Sequence, residues 1–541
     1  MASAELAVTN ACVVDGSGRE PFSGTVLVAD GVVAEVFERG DALPAGVAGE
    51  VFDAGGAFLA PGFIDCHGHS DISILASPEA FGKISQGITT EVVGNCGLSP
   101  FPVTELNRKH LQGLFGKYRV GISWNSAADY AAAVNMARPA INIASLTGHN
   151  TLRASVRGYR AGTASKREIR AMADALSGGS SLTAGFSSGL LYVPGESASE
   201  EELVALVRAN SAAGGVYASH LRGEGDSMPG SLEEFFRVAG KGGAERAHVS
   251  HLKVAGRRNW NKLDAVLDMI EGERSKGLQV TADVYPYTES MTQLSVILPN
   301  PWSRMGDVEL EELLTDPMRV EELAKALERE IDAERWRSLR LVATTAEIEG
   351  FDAEAARGDV FPGAAETAGV PPWKLCAELL AADASGTTVA SSGISRENME
   401  RIVSAPWVCC CTDETARPVD YSLGYSHPRG FGAFPEFLKT TGRLEIPLGE
   451  AVRRMTSLPA SVFRLAGRGM IRRGARADMV LFDLERLSSD EPADFASPHR
   501  INSGIRRVWV GGKASYADGE VVGRYGRFVS QADTPPESGC P

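Results

Sequence analysis

The stretch SEEELVALVRANSAAGGVYASH, residues 199–220, contains one complete helix–strand unit and decides the fold class. Ser199 with Glu202 forms a capping-box pattern at a helix start, and the helical run that follows is ended by Gly214 and Gly215. The final VYASH is typical of a buried strand, because it is short, largely apolar and bounded by turn residues. The stretch therefore predicts an α-helix followed by a strand of a parallel sheet.

The same unit is repeated further along the chain. Ser231 and Glu234 again indicate a capping box, and AHVSH (247–251) is the next predicted strand. Another helical run leads to the predicted strand LQVTADVYPY (278–287). Three consecutive units favour either a (β/α)8 barrel or an open doubly wound sheet. No glycine-rich phosphate loop follows the first strand, so the usual signal of a nucleotide-binding sheet is missing and the barrel is predicted.

The predicted organisation is α/β, with a TIM-like (β/α)8 barrel over residues 63–464 and a small β-sandwich domain built from both chain ends, residues 1–62 and 465–527. Short apolar runs separated by Gly and Asp turns at both ends are typical of strands and hairpins. Residues around 302–340 predict a helical insertion, interpreted either as a cover over the barrel mouth or as a solvated helical pair. Residues 528–541 are predicted to be a disordered tail.

Net charge and hydropathy restrict the partners and the compartment. The 541 residues carry a formal net charge of -15 without a long Lys/Arg run, so nucleic acid and anionic lipid are unsuited as partners. The sequence lacks a signal-peptide pattern, and no stretch reaches the roughly 18 apolar residues of a membrane helix. Eight thinly spread cysteines indicate reduced thiols rather than a disulfide scaffold. We expect a cytoplasmic protein that does not bind membranes.

The stretch APGFIDCHGHSD, residues 60–71, introduces a candidate metal site. It ends an apolar run with His67 and His69, whose spacing places both imidazoles on one face of a strand. The carboxyl ends of barrel strands converge on one mouth, so polar residues that end other apolar runs are candidates for the same site. A thiolate with imidazoles favours zinc, and three protein ligands leave a fourth position open for catalysis. The candidate ligands are His67, His69, Cys96, His220, His251 and Asp413.

Two further histidines follow apolar runs but are not included among the ligands. His248 lies three residues before His251, so we assign it to the opposite face of the strand and to a structural role. His149, in SLTGHNTLR, either approaches the site or is a hydrogen-bonded core residue.

Six motifs in order are more specific than any one of them. The His-x-His strand, GNCG, HLRGEGD, HVSHLK, DVYPYT and HPRGFG together resemble the N-acyl-D-amino-acid deacylases (D-aminoacylases) of the amidohydrolase superfamily. GARADMVLFD also resembles the C-terminal β-domain signature of that superfamily. The resemblance spans nearly the whole chain and implies zinc-dependent hydrolysis of N-acyl-D-amino acids to a carboxylate and a free D-amino acid.

The resemblance also implies a role for each candidate ligand. Cysteine stands where many relatives carry a carboxylated lysine that bridges two metals. Asp413 would be the proton shuttle as well as a ligand, which suits a carboxylate that ends the last strand. The implied ligands are Cys96, His220 and His251 for one tightly bound zinc, and His67, His69 and Asp413 for a weaker second site whose occupancy is left open.

By the same resemblance, the substrate is held through its α-carboxylate. The matching residues are Lys253, Tyr285 and Arg429, and Thr292 is expected to assist. Arginine offers a bidentate fork to a carboxylate and lysine a point charge, so these residue types suit the task. The implied partner is a small N-acyl amino acid, and the sequence leaves the oligomeric state open.

Two leucines and one glutamate bear on the choice of substrate. Leu298 stands where glutamate-specific relatives carry an arginine, and Leu191 matches a position that is apolar in relatives that accept hydrophobic substrates. We therefore predict a D-amino acid with an apolar side chain. Glu414 follows Asp413 where relatives usually carry glycine, so we expect the loop 414–427 to be reshaped.

Three other functions are compatible with the sequence. A cyclic-amide hydrolase of the hydantoinase or dihydropyrimidinase kind would use two metals bridged by a carboxylated lysine, but no strand-end lysine lies in the right region. A biosynthetic amidohydrolase acting on an unusual N-acyl metabolite fits the same site. The departure at Glu414 is compatible with this alternative, because it bears on the choice of substrate. A non-enzymatic scaffold is disfavoured, because every ligand position is filled.

Overall fold

The structure, a computed structural model, describes residues 4–38 and 48–531. Within these residues the chain forms three sheets of nine, eight and three strands. The strands are β1 (Ala4–Val13), β2 (Phe22–Ala29), β3 (Val32–Glu38), β4 (Ala48–Asp53), β5 (Phe58–Pro61), β6 (Phe63–Asp65), β7 (Ile88–Val93), β8 (Asn142–Gly148), β9 (Gly185–Gly189), β10 (Val216–His220), β11 (Arg246–Val249), β12 (Gln279–Val284), β13 (Glu289–Gln293), β14 (Leu339–Ala343), β15 (Thr388–Ser392), β16 (Val408–Cys410), β17 (Met479–Phe482), β18 (Ile505–Val510), β19 (Lys513–Ala517) and β20 (Glu520–Val521).

The helices lie mainly between the strands of the eight-stranded sheet and in a long insertion after β12. Short 3-10 helices cover Gly116–Tyr118, Gly195–Ser197, Arg257–Lys262, Leu294–Ile297 and Trp302–Arg304. The α-helices are α1 (Ser73–Ala76), α2 (Phe81–Ile84), α3 (Arg108–Leu114), α4 (Ala127–Ala137), α5 (His149–Arg157), α6 (Lys166–Gly179), α7 (Glu200–Ala212), α8 (Met228–Gly242), α9 (Leu263–Ser275), α10 (Asp307–Leu313), α11 (Pro317–Glu330), α12 (Ala333–Ser338), α13 (Phe361–Thr367), α14 (Pro372–Asp383), α15 (Arg396–Ser404), α16 (Arg429–Arg443), α17 (Leu448–Met455), α18 (Ser457–Val462) and α19 (Leu484–Ser489).

The eight-stranded sheet is a parallel barrel. Its strand order, β6 to β12 followed by β16, is the order of the chain, so it has no point at which the strand order reverses. The first and last strands meet at their carboxyl ends, where Asp413 N donates to His67 O at 2.8 Å and His69 N donates to Glu414 O at 3.0 Å. The prediction of a TIM-like barrel rather than an open sheet is confirmed.

The helix starts agree only in part with the predicted capping boxes. Ser199 Oγ accepts from Glu202 N at 3.2 Å, but the Glu202 carboxylate turns away to His149 Nε2 and Arg153 Nε, both at 2.9 Å, so the box is half formed. This contact makes His149 a hydrogen-bonded core residue. The box predicted at Ser231 is wrong, because α8 begins a turn earlier. Tertiary hydrogen bonds of Glu202 outcompete the second half of the box at Ser199, whereas Ser231 lies inside the first turns of α8.

The two chain ends form one β-rich unit. β5 and β1 pair with each other and β17 pairs with β5, so strands from both ends share the nine-stranded sheet. Strand β3 returns to the segment that precedes β17, where Val33 N donates to Ala475 O at 2.7 Å. The sheet thereby curls around an apolar core that includes Val8, Val28 and Trp509.

The insertion is larger than the predicted helical segment around 302–340. Helices α10, α11 and α12 lie there, but they belong to a unit that also contains the antiparallel sheet β13-β15-β14 and has an apolar core of its own. Lys109 Nζ of α3 lies 2.5 Å from Glu312 Oε1 of α10, so the insertion contacts the segment between β7 and β8. The small sheet was missed because its first strand, ESMTQ, has no apolar alternation.

The predicted disordered tail, 528–541, begins too early. Phe528 and Val529 are buried, and Val529 N donates to Ile143 O of β8 at 2.7 Å, so this part is anchored to the barrel. Residues 532–541 lie outside the described residues. Among the residues that the structure describes, no helix combines the length and the apolar character needed to cross a membrane.

A buried lysine joins the two strands that close the barrel. Lys83 of α2 donates from Nζ to Asp65 Oδ2 at 2.8 Å, Thr412 Oγ1 at 2.7 Å and Glu414 O at 2.7 Å. Glu91 of β7 lies 3.1 Å away. Burial alone would lower the pKa of Lys83, but the carboxylates of Asp65 and Glu91 hold it above its usual value. The ammonium therefore stays charged at the seam between β6 and β16.

The substitution Lys83→Met should destabilise the fold strongly, because it leaves two buried carboxylates without their counter-charge. We expect a loss of about 3 kcal/mol or more in the free energy of unfolding, measured from urea-denaturation midpoints. Lys325→Met is the control, because Lys325 is 69% exposed in its ion pair, and it should cost less than about 0.5 kcal/mol. Equal midpoints for the two variants would contradict the role assigned to Lys83.

Candidate metal centre and active site

The six predicted ligand residues lie together at the carboxyl-terminal mouth of the barrel. They follow or end five strands of the parallel sheet, whose carboxyl ends share one mouth, so residues far apart in sequence converge. The imidazole of His67 is fully buried and that of His69 is 25% exposed. The residues are His67 and His69 after β6, Cys96 after β7, His220 at the end of β10, His251 after β11 and Asp413 after β16.

Cys96 is shared by two groups of potential ligands. Its Sγ lies 3.3 Å from His67 Nε2 and 3.4 Å from His251 Nε2. Ligand atoms of His67, His69 and Cys96 lie within 4.8 Å of one another, and so do those of Cys96, His220 and His251. Burial alone raises the pKa of the Cys96 thiol, but the imidazoles of His67 and His251 lower it well below its usual value. The site is therefore arranged for a thiolate between two clusters of nitrogen ligands.

The donor set fits zinc. With bonds of about 2.0 Å to nitrogen and 2.3 Å to sulfur, two ligands of a tetrahedral zinc lie roughly 3.5 Å apart. The separation of 3.4 Å between Cys96 Sγ and His251 Nε2 agrees with that value. His220 Nδ1 is buried and has no hydrogen-bond partner within residues 4–38 and 48–531, so its ring is not committed to a purely structural network. Cys96, His220 and His251 are the residues that would hold the ion.

Three of the site residues adopt a left-handed backbone conformation. The φ angles are 52° at Cys96, 35° at His251 and 48° at Asp413. Such a conformation costs about 1 kcal/mol or more in a residue with a side chain, and it concentrates at functional sites. Close approach at Cys96 also requires glycine opposite, since a Cβ on Gly189 would lie 1.9 Å from Cys96 O. The loop geometry places these side chains at the mouth at an energetic cost.

Asp413 lies between the predicted metal ligands and the predicted substrate-binding residues. Its Oδ1 lies 3.1 Å from His69 Nε2 and 3.6 Å from His67 Nε2, and its Oδ2 lies 3.0 Å from Arg429 Nη1. Burial would raise the pKa of Asp413, but the Arg429 guanidinium and the hydrogen bond from His69 hold it well below its usual value. Asp413 is thus an ionised carboxylate within reach of both regions.

The residues predicted to bind the substrate carboxylate surround this point. Lys253 and Tyr285 line one cavity with His251, and the Arg429 guanidinium lies 4.3 Å from the centre of the Tyr285 ring. Tyr285 Oη is buried and has no hydrogen-bond partner in the described part of the chain. Burial raises the pKa of Tyr285 to about 12, so the hydroxyl keeps its proton. Lys253 and Tyr285 thus offer the cavity one cation and one neutral donor, and the second cation, Arg429, lies beside the Tyr285 ring.

The remaining predicted substrate residues lie in different surroundings. Thr292 is half-buried in β13 of the insertion and donates to Gln293 Oε1 at 3.3 Å. Leu191 is 40% exposed and precedes Tyr192, whose ring lies 4.8 Å from that of His220. Leu298 is buried in the apolar core of the insertion, so its surroundings are those of a packing residue.

Two carboxylates that the sequence analysis did not select contact the predicted metal ligands His67 and His251. Asp283 Oδ2 lies 3.2 Å from His67 Nδ1 and 2.7 Å from His248 Nε2, and Asp283 Oδ1 accepts from His251 N at 2.8 Å. Glu224 Oε1 lies 3.0 Å from His251 Nδ1. Glu224 lies in HLRGEGD and Asp283 in DVYPYT, two of the motifs that carry the family resemblance. Their place in these motifs was the signal that could have selected them.

His248 has the structural role predicted, but the face assigned to it is wrong. Strand β11 ends at Val249, and the left-handed turn at His251 breaks the alternation on which the assignment depended. The His248 ring is buried beside Asp283, in the same network as His67. Alternation holds only within a strand, so it does not extend across its end.

Glu414 is accommodated without a strained backbone of its own, and the predicted reshaping of the loop 414–427 stays a prediction. The left-handed conformation falls on Asp413 and not on Glu414, so glycine is not required there. Glu414 is buried, and its Oε1 lies 3.4 Å from Arg417 Nε. A Cβ on Gly430 would lie 2.8 Å from Glu414 Cγ, so the glycine at the start of α16 makes room for the larger side chain.

Comparison with known proteins gives a consistent assignment. The sequence model of the amidohydrolase family matches residues 50–326 and 430–516. N-acyl-D-glutamate deacylase of Alcaligenes xylosoxydans xylosoxydans is 32% identical over 482 residues, which are 88% of this chain and 86% of that protein. D-Aminoacylase of the same organism is 31% identical over 487 residues, which are 88% of each chain.

Solved structures agree with the sequence comparison. N-acyl-D-glutamate deacylase from Bordetella bronchiseptica, determined with zinc and a phosphonate mimic of the tetrahedral intermediate, superimposes with a TM-score of 0.80 at 29% identity over 98% of this chain and 100% of that one. L-Hydantoinase (dihydropyrimidinase) from Arthrobacter aurescens has a TM-score of 0.54 at 16% identity over 97% of this chain and 100% of that one, and therefore shares the fold alone. The chain belongs to the amidohydrolase family.

Proposed function

We propose that this protein is a zinc-dependent hydrolase of N-acyl-D-amino acids. The observation that carries the proposal is the position of Asp413, with one carboxylate oxygen 3.1 Å from His69 Nε2 and the other 3.0 Å from Arg429 Nη1. The predicted metal ligand His69 and the predicted substrate-binding residue Arg429 thus lie on either side of one carboxylate, which supports the proposal. The names of the relatives support the same class of substrate, since they act on N-acyl-D-glutamate and on other N-acyl-D-amino acids.

The chain supplies both halves of amide hydrolysis. When bound, zinc supplies a Lewis acid that polarises the amide carbonyl and lowers the pKa of water toward neutrality. Asp413 takes a proton from the attacking water at a carboxylate oxygen and later gives it to the amine nitrogen as the C–N bond breaks. The products are a carboxylate and a free D-amino acid. Asp413 begins the reaction as a carboxylate, since the Arg429 guanidinium and the hydrogen bond from His69 hold its pKa well below its usual value.

The substrate carboxylate is held on the other side of Asp413. Arg429 and Lys253 supply positive charge, and Tyr285 Oη supplies a hydrogen-bond donor whose pKa of about 12 keeps it protonated. Three donors around one carboxylate fix its orientation and thereby the position of the scissile amide. Thr292 assists from the insertion.

The substitution Cys96→Ala should remove the tightly bound metal. We expect the unmodified protein to retain about one zinc per chain after dialysis, because a thiolate and two imidazoles supply the three protein ligands that hold zinc in catalytic sites. Metal analysis should show that Cys96→Ala loses most of this zinc together with activity. Cys12→Ala, in the terminal sheet, is the matched control and should keep both. Full zinc and full activity in Cys96→Ala would refute the assigned site.

The substitution Asp413→Asn should separate catalysis from metal binding. Asparagine keeps the size of the side chain but cannot carry the proton, so turnover should fall by at least about a hundredfold. The tight zinc should stay, because Cys96, His220 and His251 are unchanged. Parallel measurement of kcat and zinc content tests both statements. Turnover near that of the unmodified protein would move the proton-transfer role to another residue.

The proposal extends to substrates with apolar side chains. Leu191 is exposed beside Tyr192, whose ring lies 4.8 Å from that of His220, and it places an apolar side chain near the predicted metal ligands, whereas Leu298 packs in the core of the insertion. A second carboxylate buried against apolar groups without a partner costs several kcal/mol, whereas a leucine-sized side chain gains roughly 1.5 to 3 kcal/mol on burial. N-acetyl-D-leucine should therefore have a higher kcat/KM than N-acetyl-D-glutamate.

A cation introduced at the mouth should change this preference. Leu191→Arg should raise the ratio of kcat/KM for N-acetyl-D-glutamate to that for N-acetyl-D-leucine by about tenfold, the equivalent of one new charge pair at partial exposure. Met136→Arg, on the outer face of α4, is the control and should leave the ratio unchanged. A preference of the unmodified protein for the D-glutamate derivative would contradict the apolar assignment.

A further inference from the structure

Glu224 lies between a metal ligand and a substrate-binding cation. It belongs to HLRGEGD, in the loop after β10, and its side chain is only 15% exposed. Its Oε1 lies 3.0 Å from His251 Nδ1 and 2.6 Å from Lys253 Nζ. A single carboxylate oxygen therefore contacts a predicted zinc ligand and a predicted substrate ligand at the same time.

The His251 ring is oriented so that its two nitrogens face different partners. Nε2 points to Cys96 Sγ at 3.4 Å, and Nδ1 points to Glu224 and to Lys253 Nζ at 3.0 Å. Lysine in its charged form only donates, so a proton on Nδ1 has Glu224 as its acceptor. A carboxylate that accepts from the distal nitrogen fixes the tautomer and the ring orientation of a metal-binding histidine.

The Lys253 ammonium is not free in this arrangement. Besides Glu224, it donates to His251 O at 3.2 Å, and its side chain is 7% exposed. A carboxylate 2.6 Å from the ammonium cancels much of the positive charge that an anionic substrate would meet. Glu224 therefore favours metal binding through His251 and weakens the attraction of Lys253 for an anionic substrate.

We propose that Glu224 is a positioning residue that orients His251 for the metal and reduces the attraction of Lys253 for the substrate carboxylate. The part that concerns Lys253 rests on the proposed function, whereas the part that concerns His251 does not. The tight metal site and the affinity for an anionic substrate are thereby linked through one side chain. Asp283 has a related contact with His67 Nδ1, but its other carboxylate oxygen accepts from the backbone N–H of His251.

The substitution Glu224→Gln tests both parts in the full-length protein. The amide is a poorer acceptor, so the dissociation constant for zinc should rise about 10- to 100-fold, measured on the apoprotein by competition with a chromophoric chelator. At saturating zinc, the KM for N-acetyl-D-leucine should fall by about threefold or more, because the charge of Lys253 is no longer cancelled. A general structural defect would raise KM instead.

Three further variants make the result decisive. Glu224→Asp keeps the charge but shortens the reach, so it should weaken zinc binding with little change in KM. Lys253→Met should raise KM and leave the zinc affinity unchanged. Glu234→Gln is the matched control, since Glu234 is 17% exposed and forms its ion pair with Arg222, and it should leave zinc affinity and KM unchanged. Thermal unfolding of each variant verifies the fold.

The outcomes separate this inference from the proposed function. Zinc affinity of Glu224→Gln equal to that of the unmodified protein would overturn the role at His251, whatever the substrate is. A KM that rises in Glu224→Gln, as it does in Lys253→Met, would overturn the role at Lys253. Failure of the unmodified zinc-loaded protein to hydrolyse any N-acyl-D-amino acid would overturn the proposed function, and the zinc titration would still decide the orientation of His251.

Discussion

The seam between the first and last strands of the barrel is the contact on which the site depends. His69 and Asp413 are 344 residues apart in sequence, yet their side chains lie 3.1 Å apart because β6 and β16 meet there. Lys83 holds the seam from below through Asp65 and the backbone of Glu414. Both ends of the loop segment that contains Asp413 are thereby fixed, so the contacts that close the barrel also place Asp413.

Burial of so many charges requires that each has a partner. The Cys96 thiolate lies between imidazoles, the Asp413 carboxylate meets Arg429, and Glu224 meets Lys253. These pairs keep the groups ionised in a low-dielectric region, where a lone charge would be strongly unfavourable. His220 Nδ1 and Tyr285 Oη lack such partners among the described residues. They lie where a metal and a substrate would complete the network, which is the expected state of a preorganised site.

The sequence could predict the barrel and the convergence of its polar strand ends, because parallel strands share one carboxyl edge and the repeated helix–strand units are strongly patterned. It could not select Asp283 or Glu224, since a supporting carboxylate in a loop or strand has no periodic signal of its own. The sequence did not predict the small sheet of the insertion for a similar reason, because its strand Glu289–Gln293 has no apolar alternation. The half-formed cap at Ser199 shows a local signal overridden by the buried contacts of Glu202.

Glu414 illustrates how a departure from a family pattern can be accommodated without backbone strain at the new residue. A glycine beside a catalytic acid indicates a conformation that a side chain resists, but here the strained φ of 48° belongs to Asp413. Glu414 adopts an ordinary conformation, pairs with Arg417 and occupies the space left by Gly430. Its backbone carbonyl still accepts from Lys83 and from His69 N, and a backbone carbonyl is present whatever the side chain. The backbone contacts that position Asp413 therefore do not depend on the residue type at 414. The glutamate side chain changes the surroundings of Arg417 and Gly430 and leaves those backbone contacts in place.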